Sequence, residues 1–309
     1  MNNSYIYNLE QIKDIENLEL IAKFVIEGFI TGLHKSPYHG FSVEFSEHRP
    51  YSPGESIRFI DWKLYAKTER LYVKKFEDET NLRSWFILDT STSMLFPYKE
   101  FNKNSKLYFS IVCISALINL LKTQRDAVGL ICFSNNIELF TKAKLSEVHI
   151  NYLFTELKKL LKKDYSAEKN NSNISQTLHH VAKQINKRSL IIIFSDCFEN
   201  VNLNDFIPAL QHLRFNKHEV ILFHILDSKY EINFNFQNRP YKFIDLETKE
   251  VKKVKPNEIK DEYHKYMLKK TNMIKEKCEQ FQIDYILADI NKGFHEVLVS
   301  YLLKRNKLF

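Results

Sequence analysis

The sequence is poor in glycine, and this scarcity argues against several nucleotide-binding sites. The chain has 309 residues and only 6 glycines, at positions 28, 32, 40, 54, 129 and 293. Their spacing forms neither a G-x-G-x-x-G fingerprint nor a G-x-x-x-x-G-K-[ST] phosphate loop. We therefore do not expect a nucleotide held by a glycine-rich loop.

Cysteine is also sparse. The chain has 4 cysteines, which are far apart and form no C-x-x-C pair: Cys113, Cys132, Cys197 and Cys278. Buried free thiols of this kind are typical of a reducing compartment. The first residues contain no basic region followed by an apolar stretch, so we predict no signal peptide and a cytoplasmic location.

Long hydrophobic runs are missing as well. The longest uncharged stretch, from Leu107 to Leu121, has 15 residues. A membrane-spanning helix needs about 20. We predict a core helix here, and no membrane span in the chain.

Positive charge is in modest excess, with 45 Lys and Arg against 38 Asp and Glu, a net charge of +7. This balance permits an acidic partner without requiring one. The run Lys158, Lys159, Lys162 and Lys163 lies around leucines at helical spacing. It predicts a solvated helix face, with a nucleic-acid or membrane patch as the alternative. We expect no nucleic-acid partner.

Apolar periodicity divides the chain into two predicted regions. Residues 1–80 are predicted to form an N-terminal helix, over 9–33, and a small β-rich region of extended pieces over 36–80. In residues 81–309, short apolar strands alternate with amphipathic helices, and a hairpin-like excursion is predicted at about 227–256. This pattern predicts an α/β fold: a doubly wound, mostly parallel sheet with helices on both faces.

Polar oxygens follow the first strand of the α/β region. The sequence WFILDTSTSM places Asp89, Ser91 and Ser93 at alternate positions beyond the carboxyl end of that strand. Open α/β sheets bind ligands at this position. A carboxylate and hydroxyls are hard oxygen ligands that suit Mg²⁺ or Mn²⁺. The alternative is a strand-to-helix turn capped by hydroxyls.

A second aspartate follows another strand. Asp196 comes after IIIFS, and Ser172 precedes a helix between the two strands. If the strands are neighbours, both aspartates face one ion, and the Ser172 hydroxyl completes the site from a loop. For Asp196 the alternative is a helix-capping carboxylate.

The DTSTS sequence, a later loop hydroxyl and a strand-end aspartate together resemble the metal-ion-dependent adhesion site of von Willebrand factor A domains. The upstream stretch, from Gly32 to Glu79, resembles the domain of unknown function 58 family. Members of that family are von Willebrand factor A-like proteins associated with MoxR-type AAA+ ATPases. The signatures R-x-Y-x-P-G-[DE] and I-D-W are present as Arg49, Tyr51, Pro53, Gly54, Glu55, Ile60, Asp61 and Trp62.

The resemblance implies a von Willebrand factor A-like fold with a metal site. Its ligands would be Asp89, Ser91, Ser93, Ser172 and Asp196, with Ser172 in place of the usual threonine. It also implies a non-enzymatic adaptor whose bound ion takes up a carboxylate from a partner. The implied partner is a MoxR-type AAA+ ATPase, with other von Willebrand factor A proteins as further partners. The implied role is the assembly, remodelling or activation of protein complexes.

Two interpretations stay open for the upstream signature. Its members and their neighbour Arg58 form either a structural anchor, with a buried ion pair and an aromatic side chain, or a partner surface. The residues concerned are Arg49, Tyr51, Gly54, Glu55, Arg58, Asp61 and Trp62.

Enzyme signatures are absent from the sequence. No G-x-S-x-G nucleophile elbow occurs. The position two residues after Asp89 is Ser91, whereas a haloacid-dehalogenase-type phosphatase needs a second aspartate there. We therefore predict no catalytic residues. The alternative is a metal-dependent hydrolase acting on phosphoesters or nucleic acid, favoured by the same oxygen cluster and the net charge of +7.

Overall fold

The structure, a computed structural model, describes residues 18–33, 48–50, 62–74, 83–98, 103–163, 174–185, 188–197, 203–244 and 251–306. Within these, 27–33, 48–50, 62–63, 73–74, 203–204 and 304–306 are described by their backbone alone. The chain forms two compact units: Ile30–Asn81, and Met1–Phe29 together with Leu82–Phe309. The division at residue 80 that we predicted from the sequence stays a prediction.

In the smaller unit, strand β1 (His48–Pro50) pairs antiparallel with strand β2 (Tyr72–Lys74). Helix α2 (Trp62–Thr68) lies between them in the chain. We had predicted extended structure there. The helix is consistent with its composition, since WKLYAKT is rich in the good helix formers Lys, Leu and Ala.

The described strands of the larger unit are β3 (Arg83–Asp89), β4 (Ala127–Phe133), β5 (Ile137–Phe140), β6 (Leu190–Ser195), β7 (Glu219–Leu226), β8 (Tyr241–Ile244), β9 (Val251–Val254) and β10 (Asp284–Asp289). Six of them form one sheet, in the order β10-β7-β6-β3-β4-β5. Neighbouring strands of this sheet are parallel except for β4 and the edge strand β5, which are antiparallel. Strands β8 and β9 form a separate antiparallel hairpin.

The described helices after β2 are α3 (Lys106–Thr123), α4 (Glu147–Lys162), α5 (Ile174–Gln184), α6 (Leu203–Phe215), α7 (Pro256–Gln280) and α8 (His295–Asn306); α1 (Leu18–Leu33) precedes β1 in the chain. Helices cover both faces of the sheet, because alternate residues of its buried strands point to opposite sides. One core layer joins Ile87, Ile193 and Leu222 to side chains of α5, α6 and α7. On the opposite face, α3 lies against β3, β4 and β7. The doubly wound, mostly parallel α/β fold predicted from the sequence is confirmed.

Helix α3 contains the longest uncharged stretch of the sequence. Among the described residues it is the one helix whose length and composition would allow it to cross a membrane, and 83% of it is buried inside the protein. A core helix passes the same test, so this is weak support for a membrane span. Here the helix forms part of the core.

Two short turns lie at the carboxyl edge of the sheet. A 3₁₀ turn (Thr92–Leu95) follows β3, and a π-helical turn (Ser228–Ile232) follows β7. Phe234, just after the π-helical turn, packs against Phe243 of β8 and Tyr263 of α7, with ring centroids 5.5 and 4.7 Å away. His264 Nδ1 of α7 also donates to the Ile232 carbonyl at 2.8 Å. The π-helical turn is thus packed on both β8 and α7.

Candidate metal centre

Four neighbouring parallel strands place an aspartate at the same edge of the sheet. Asp89 and Asp289 are the last residues of β3 and β10, while Asp196 and Asp227 directly follow β6 and β7. All four side chains are buried. Strand β3 pairs with β6, so the structure brings Asp89 and Asp196 to adjacent strand ends.

The loop after β3 gathers three of the residues predicted as ligands. The Ser91 backbone N–H donates to Asp89 Oδ1 at 3.0 Å. The hydroxyls of Ser91 and Ser93 are 3.1 Å apart and hydrogen-bond to each other. The three side chains are buried, so a carboxylate and two hydroxyls share one small polar space.

Thr90 attaches this loop to β4. Its backbone N–H and its hydroxyl both donate to the Phe133 carbonyl, at 2.7 and 2.8 Å. Thr90 therefore fixes the end of β3 against the end of β4. Its neighbours Asp89 and Ser91 interact with each other at the edge of the sheet.

Ser195, the last residue of β6, contacts Asp89 from the neighbouring strand. Its hydroxyl donates to Asp89 Oδ2 at 2.7 Å and accepts a hydrogen bond from the Cys197 backbone N–H at 3.1 Å. Both oxygens of Asp89 are thus oriented by neighbouring groups. Asp89 is a positioned side chain rather than a freely rotating one.

The pKa of Asp89 is raised to about 6, first by burial and then by the negative charge of Asp196. The hydrogen bonds from Ser91 and Ser195 act in the opposite direction, but they are the weaker influence. The carboxylate is therefore costly to ionise in this environment. A cation placed beside it would remove that cost.

Asp196 lies in a different environment, which contains a buried lysine. Lys106 Nζ contacts Asp196 Oδ2 at 2.6 Å and Glu231 Oε1 at 2.7 Å. The three side chains are 0–3% exposed. A buried ion pair persists when good geometry compensates for lost hydration, as the short distances allow here.

The position of Lys106 is unfavourable for a cation. It is the first residue of α3, where the helix dipole favours negative charge. Burial lowers the pKa of its ammonium group, but the carboxylates of Asp196 and Glu231 outweigh burial and raise that pKa above its usual value. The lysine is therefore charged, and those two carboxylates stabilise the charge.

Glu231 comes from the π-helical turn. Its Oε1 accepts from Lys106, and its Oε2 accepts from the Asp227 backbone N–H at 2.8 Å. Burial raises the pKa of Glu231, and the Lys106 charge opposes that effect. Single π-helical turns are frequent at functional sites, and this one supplies a carboxylate to the cluster.

His224 of β7 fixes the backbone at Asp196. Its Nε2–H donates to the Asp196 carbonyl at 2.7 Å, so in the neutral ring Nδ1 accepts from the Tyr285 hydroxyl, also at 2.7 Å. Burial lowers the pKa of His224 to about 4. The imidazole is therefore neutral at pH 7, and both of its nitrogens are engaged.

The oxygen donors fit a hard divalent cation. Among the described residues, no three His, Cys, Asp or Glu side chains form a group that could hold a metal. Any ion here would thus be held by Asp89, the hydroxyls of Ser91 and Ser93, and water, a mixture that Mg²⁺ accepts. The negative charge of Asp196 acts on Asp89, which further favours a cation beside Asp89.

Some predicted residues lie outside the described part of the chain. Ser172 is one of them, as are Tyr51, Gly54, Glu55, Arg58 and Asp61. The backbone of Arg49 belongs to β1 and that of Trp62 to α2, but their side chains are not described. Their predicted roles stay predictions.

Sequence reasoning missed Lys106, Ser195 and Glu231. Lys106 had a detectable signal, because it stands directly before 15 uncharged residues, at the end of the helix that disfavours a cation. Ser195 precedes Asp196 directly, as a hydroxyl beside a strand-end carboxylate. Glu231 had no local signal, since it lies 125 residues from Lys106 in the chain.

One protein family model matches most of the chain. Residues 47–273 match the family described as Protein of unknown function DUF58. The chain belongs to this family. An uncharacterized protein of Mycobacterium bovis and another of Mycobacterium tuberculosis are each 32% identical over 82 residues. That match spans 26% of this chain and 26% of each relative, about a quarter of the length of these proteins.

Solved structures with a similar fold include BatB from Bacteroides thetaiotaomicron, at 13% identity and a TM-score of 0.43. An aerotolerance-related membrane protein from Bacteroides fragilis has 18% identity and a TM-score of 0.47. Both matches cover 73% of this chain and 99% of the other. The von Willebrand factor A domain of SpRpn10 covers 47% of this chain and 75% of its own, at 12% identity and a TM-score of 0.33.

The fold of this DUF58 protein is von Willebrand factor A-like. Because the TM-scores are below 0.5, that description rests on the strand order and the helices on both faces of the sheet. The cytoplasmic location predicted from the sequence is contradicted by the description of a structural neighbour as a membrane protein. That prediction is wrong, and we withdraw it.

Proposed function

We propose that this DUF58 protein is a non-enzymatic interaction module that binds one divalent cation, Mg²⁺ or Mn²⁺, at the carboxyl edge of its sheet. One observation carries the proposal. The buried Asp89 carboxylate, which burial and the charge of Asp196 make costly to ionise, lies beside the Ser91 and Ser93 hydroxyls. Ser172 and Asp196 complete the proposed ligand set.

The residues of the loop have distinct roles in this proposal. Asp89 supplies the charged ligand, and Ser91 and Ser93 supply neutral oxygens. Thr90 and Ser195 orient them, through hydrogen bonds of 2.7–2.8 Å to the β4 backbone and to Asp89. Asp196 is held by Lys106 through Oδ2, so we propose that it belongs to the ligand set through a water molecule bound to the ion.

A bound ion at such a site supplies a Lewis-acidic position that an Asp or Glu carboxylate from another protein can occupy. Mg²⁺ keeps several waters when few protein groups bind it, and a partner carboxylate can replace one of them. On the family resemblance, we propose a MoxR-type AAA+ ATPase as the partner, with other von Willebrand factor A proteins as further partners. The protein would then act as an adaptor in the assembly, remodelling or activation of complexes.

The geometry supports an interaction role more than the hydrolase alternative. The Ser91 and Ser93 hydroxyls hydrogen-bond to each other. The imidazole of His224 is engaged on both sides, by Tyr285 and by the Asp196 carbonyl. A general base must reach the hydroxyl that it activates, and this imidazole has no nitrogen to offer.

The experiment is a pull-down of a MoxR-type ATPase by the full chain, with Mg²⁺ or with EDTA. We expect capture in Mg²⁺ only, and its loss in Asp89→Asn. The matched control is Asp227→Asn, which removes a carboxylate from the same sheet edge and should keep capture. Capture that is equal in EDTA, or equal in Asp89→Asn, would contradict the proposal. Mg²⁺-dependent turnover of a generic phosphoester that Asp89→Asn abolishes would favour the hydrolase instead.

A further inference from the structure

Two histidines on different helices of the larger unit face each other. The Nδ1 atoms of His179, on α5, and His212, on α6, are 3.2 Å apart. The ring centroids are separated by 5.4 Å, and the ring planes are tilted by 46°. Both side chains are half-buried. Two ring nitrogens thus meet between the helices, at a position that is not closed off from solvent.

This histidine pair lies away from the candidate metal centre. His212 is close to the end of α6, which leads into the first residue of β7. His212 also acts electrostatically on His218, the residue directly before that strand. Asp227 follows the last residue of β7, at the carboxyl edge of the sheet. The histidine pair and the candidate metal centre are therefore at opposite ends of β7.

The distance between the two nitrogens suits a pair of metal ligands. Two nitrogens bound to one tetrahedral zinc ion, each at about 2.05 Å from it, are about 3.3 Å apart. Without an ion, one Nδ1–H of the pair donates to the other Nδ1. An ion bound by both nitrogens takes the place of that shared proton. The ring that donated then carries its proton on Nε2, so both imidazoles stay neutral.

A ring nitrogen binds a metal ion only when it carries no proton. The surroundings of His179 favour the neutral ring. Burial lowers its pKa below the ordinary value, and His212 and Lys183 lower it as well, while Asp205 acts in the opposite direction. His179 is therefore mostly neutral at pH 7, and it can accept a metal ion there without first losing a positive charge.

We propose that His179 and His212 form a metal site of their own, which takes a borderline divalent cation such as Zn²⁺ or Ni²⁺ through the two Nδ1 atoms and links α5 to α6. Imidazole nitrogen suits these ions, whereas carboxylate and hydroxyl oxygens suit Mg²⁺ and Mn²⁺. In the part of the chain that the structure describes, no third His, Cys, Asp or Glu joins the pair, so water completes the coordination. The inference goes beyond the proposed function, because it uses other residues and another class of ion.

The test is a calorimetric titration of Zn²⁺ into the full chain without an affinity tag. It is made in excess Mg²⁺ and repeated with Asp89→Asn, so that the candidate metal centre does not contribute. We expect Zn²⁺ binding in both experiments. His179→Gln and His212→Gln should each weaken it by at least about tenfold, since the loss of even an outer-shell partner typically costs about 10–100-fold. The matched control is His180→Gln, which removes the exposed neighbour of His179 and should keep the affinity.

Equal Zn²⁺ affinity in His179→Gln and His180→Gln would overturn the inference, and the pair would then be a hydrogen bond between two helices. Loss of Zn²⁺ binding in Asp89→Asn would also overturn it, because the ion would then belong to the candidate metal centre. Failure of the proposed function has a different sign, namely no effect of Mg²⁺ on partner capture.

A measurement on the wild-type chain decides the case if the glutamine variants do not fold. Nitrogen NMR of selectively labelled histidines should show that Zn²⁺ shifts two Nδ1 resonances. Unchanged Nδ1 resonances at saturating Zn²⁺ would contradict the inference.

Discussion

The four aspartates at the sheet edge fall into two pairs that differ in what surrounds them. Asp227 Oδ1 accepts from the backbone N–H groups of Lys229 and Tyr230, at 2.9 and 3.2 Å. Asn291 Nδ2 also donates to it, at 2.8 Å. This carboxylate caps the π-helical turn.

Asp289 is used in the same way. Its Oδ1 accepts from the Ser228 backbone N–H at 3.2 Å and from the backbone and side chain of Asn291 at 3.1 and 3.2 Å. Backbone amides of fixed turns thus surround Asp227 and Asp289. We assign this pair to structure.

Asp89 and Asp196 have other partners. Asp89 is surrounded by hydroxyls and one loop amide, and Asp196 by an ammonium group. Hydroxyls can rotate to donate or to accept, so they can serve a carboxylate or a metal ion. The comparison teaches that a strand-end aspartate is not by itself a ligand, because the groups around it decide whether it caps a turn or holds an ion.

The largest effect on stability should come from Lys106, which contacts Asp196 of the Asp89 and Asp196 pair. Lys106→Met leaves Asp196 and Glu231 buried without their cation, which typically costs about 3–5 kcal/mol of unfolding free energy. Urea denaturation in EDTA measures this loss. Addition of Glu231→Gln should recover part of it. A loss below about 1 kcal/mol would show that the buried pair is not what stabilises this edge.

Asp89→Asn should raise, rather than lower, the free energy of unfolding of the metal-free protein. Burial disfavours the ionised carboxylate, so its neutral isostere should raise the unfolding free energy at pH 7 by about 1–3 kcal/mol. Denaturation in EDTA is again the measurement. If the variant is less stable than wild type, the Asp89 carboxylate is better stabilised by Ser91 and Ser195 than this account allows.

The pH dependence of that difference is a separate prediction. The pKa of Asp89 is about 6 in the folded chain, against an ordinary value of 3.8. Between these values the folded state binds more protons than the unfolded state, so the Asp89 contribution to stability falls as pH rises through that window. The advantage of Asp89→Asn should be full above about pH 7 and gone near pH 4. A constant difference from pH 4 to 7 would contradict the raised pKa.

Asp227→Ala tests the structural pair. It removes a cap from the π-helical turn and a partner of Asn291, so it should lower the unfolding free energy by about 1–2 kcal/mol. Mn²⁺ affinity, measured by calorimetry, should stay within a factor of about three of wild type. A large loss of affinity would remove the distinction between the two pairs.

The smallest effect is expected at the other end of α3. Lys122 pairs with Glu147 at 2.8 Å, but both side chains are well exposed. Exposed ion pairs contribute little, because water already solvates both charges. Lys122→Met should leave both the urea midpoint and Mn²⁺ affinity unchanged. A marked loss of stability would show that α3 depends on its lysines for reasons other than burial.

The sequence predicts the scaffold of the larger unit well. Its strands and helices follow apolar periodicity, and the core helix predicted in the uncharged stretch from Leu107 to Leu121 is α3, Lys106–Thr123. The expectation that Asp89 and Asp196 meet depended on β3 and β6 being neighbours, and the structure shows that they are. The local hydrophobic pattern is sufficient to predict a helix or strand when one or both of its faces are buried.

The partners of Asp196 could not be predicted in this way. Lys106 and Glu231 lie 90 and 35 residues from it in the chain, and their meeting depends on how α3 and the π-helical turn pack over the sheet edge. No local periodicity encodes such a contact. Helix α2 was missed because its local signals conflict. Its seven residues have helical propensity, but the flanking turn and aromatic residues favoured extended structure.

Calorimetric titration of Mn²⁺ into the metal-stripped full chain tests the central claim most directly, with Asp89→Asn and Asp227→Asn titrated in parallel. The account predicts one site in the wild-type chain, a similar site in Asp227→Asn, and no measurable binding in Asp89→Asn. Binding that survives in Asp89→Asn, or that is lost equally in Asp227→Asn, would contradict it.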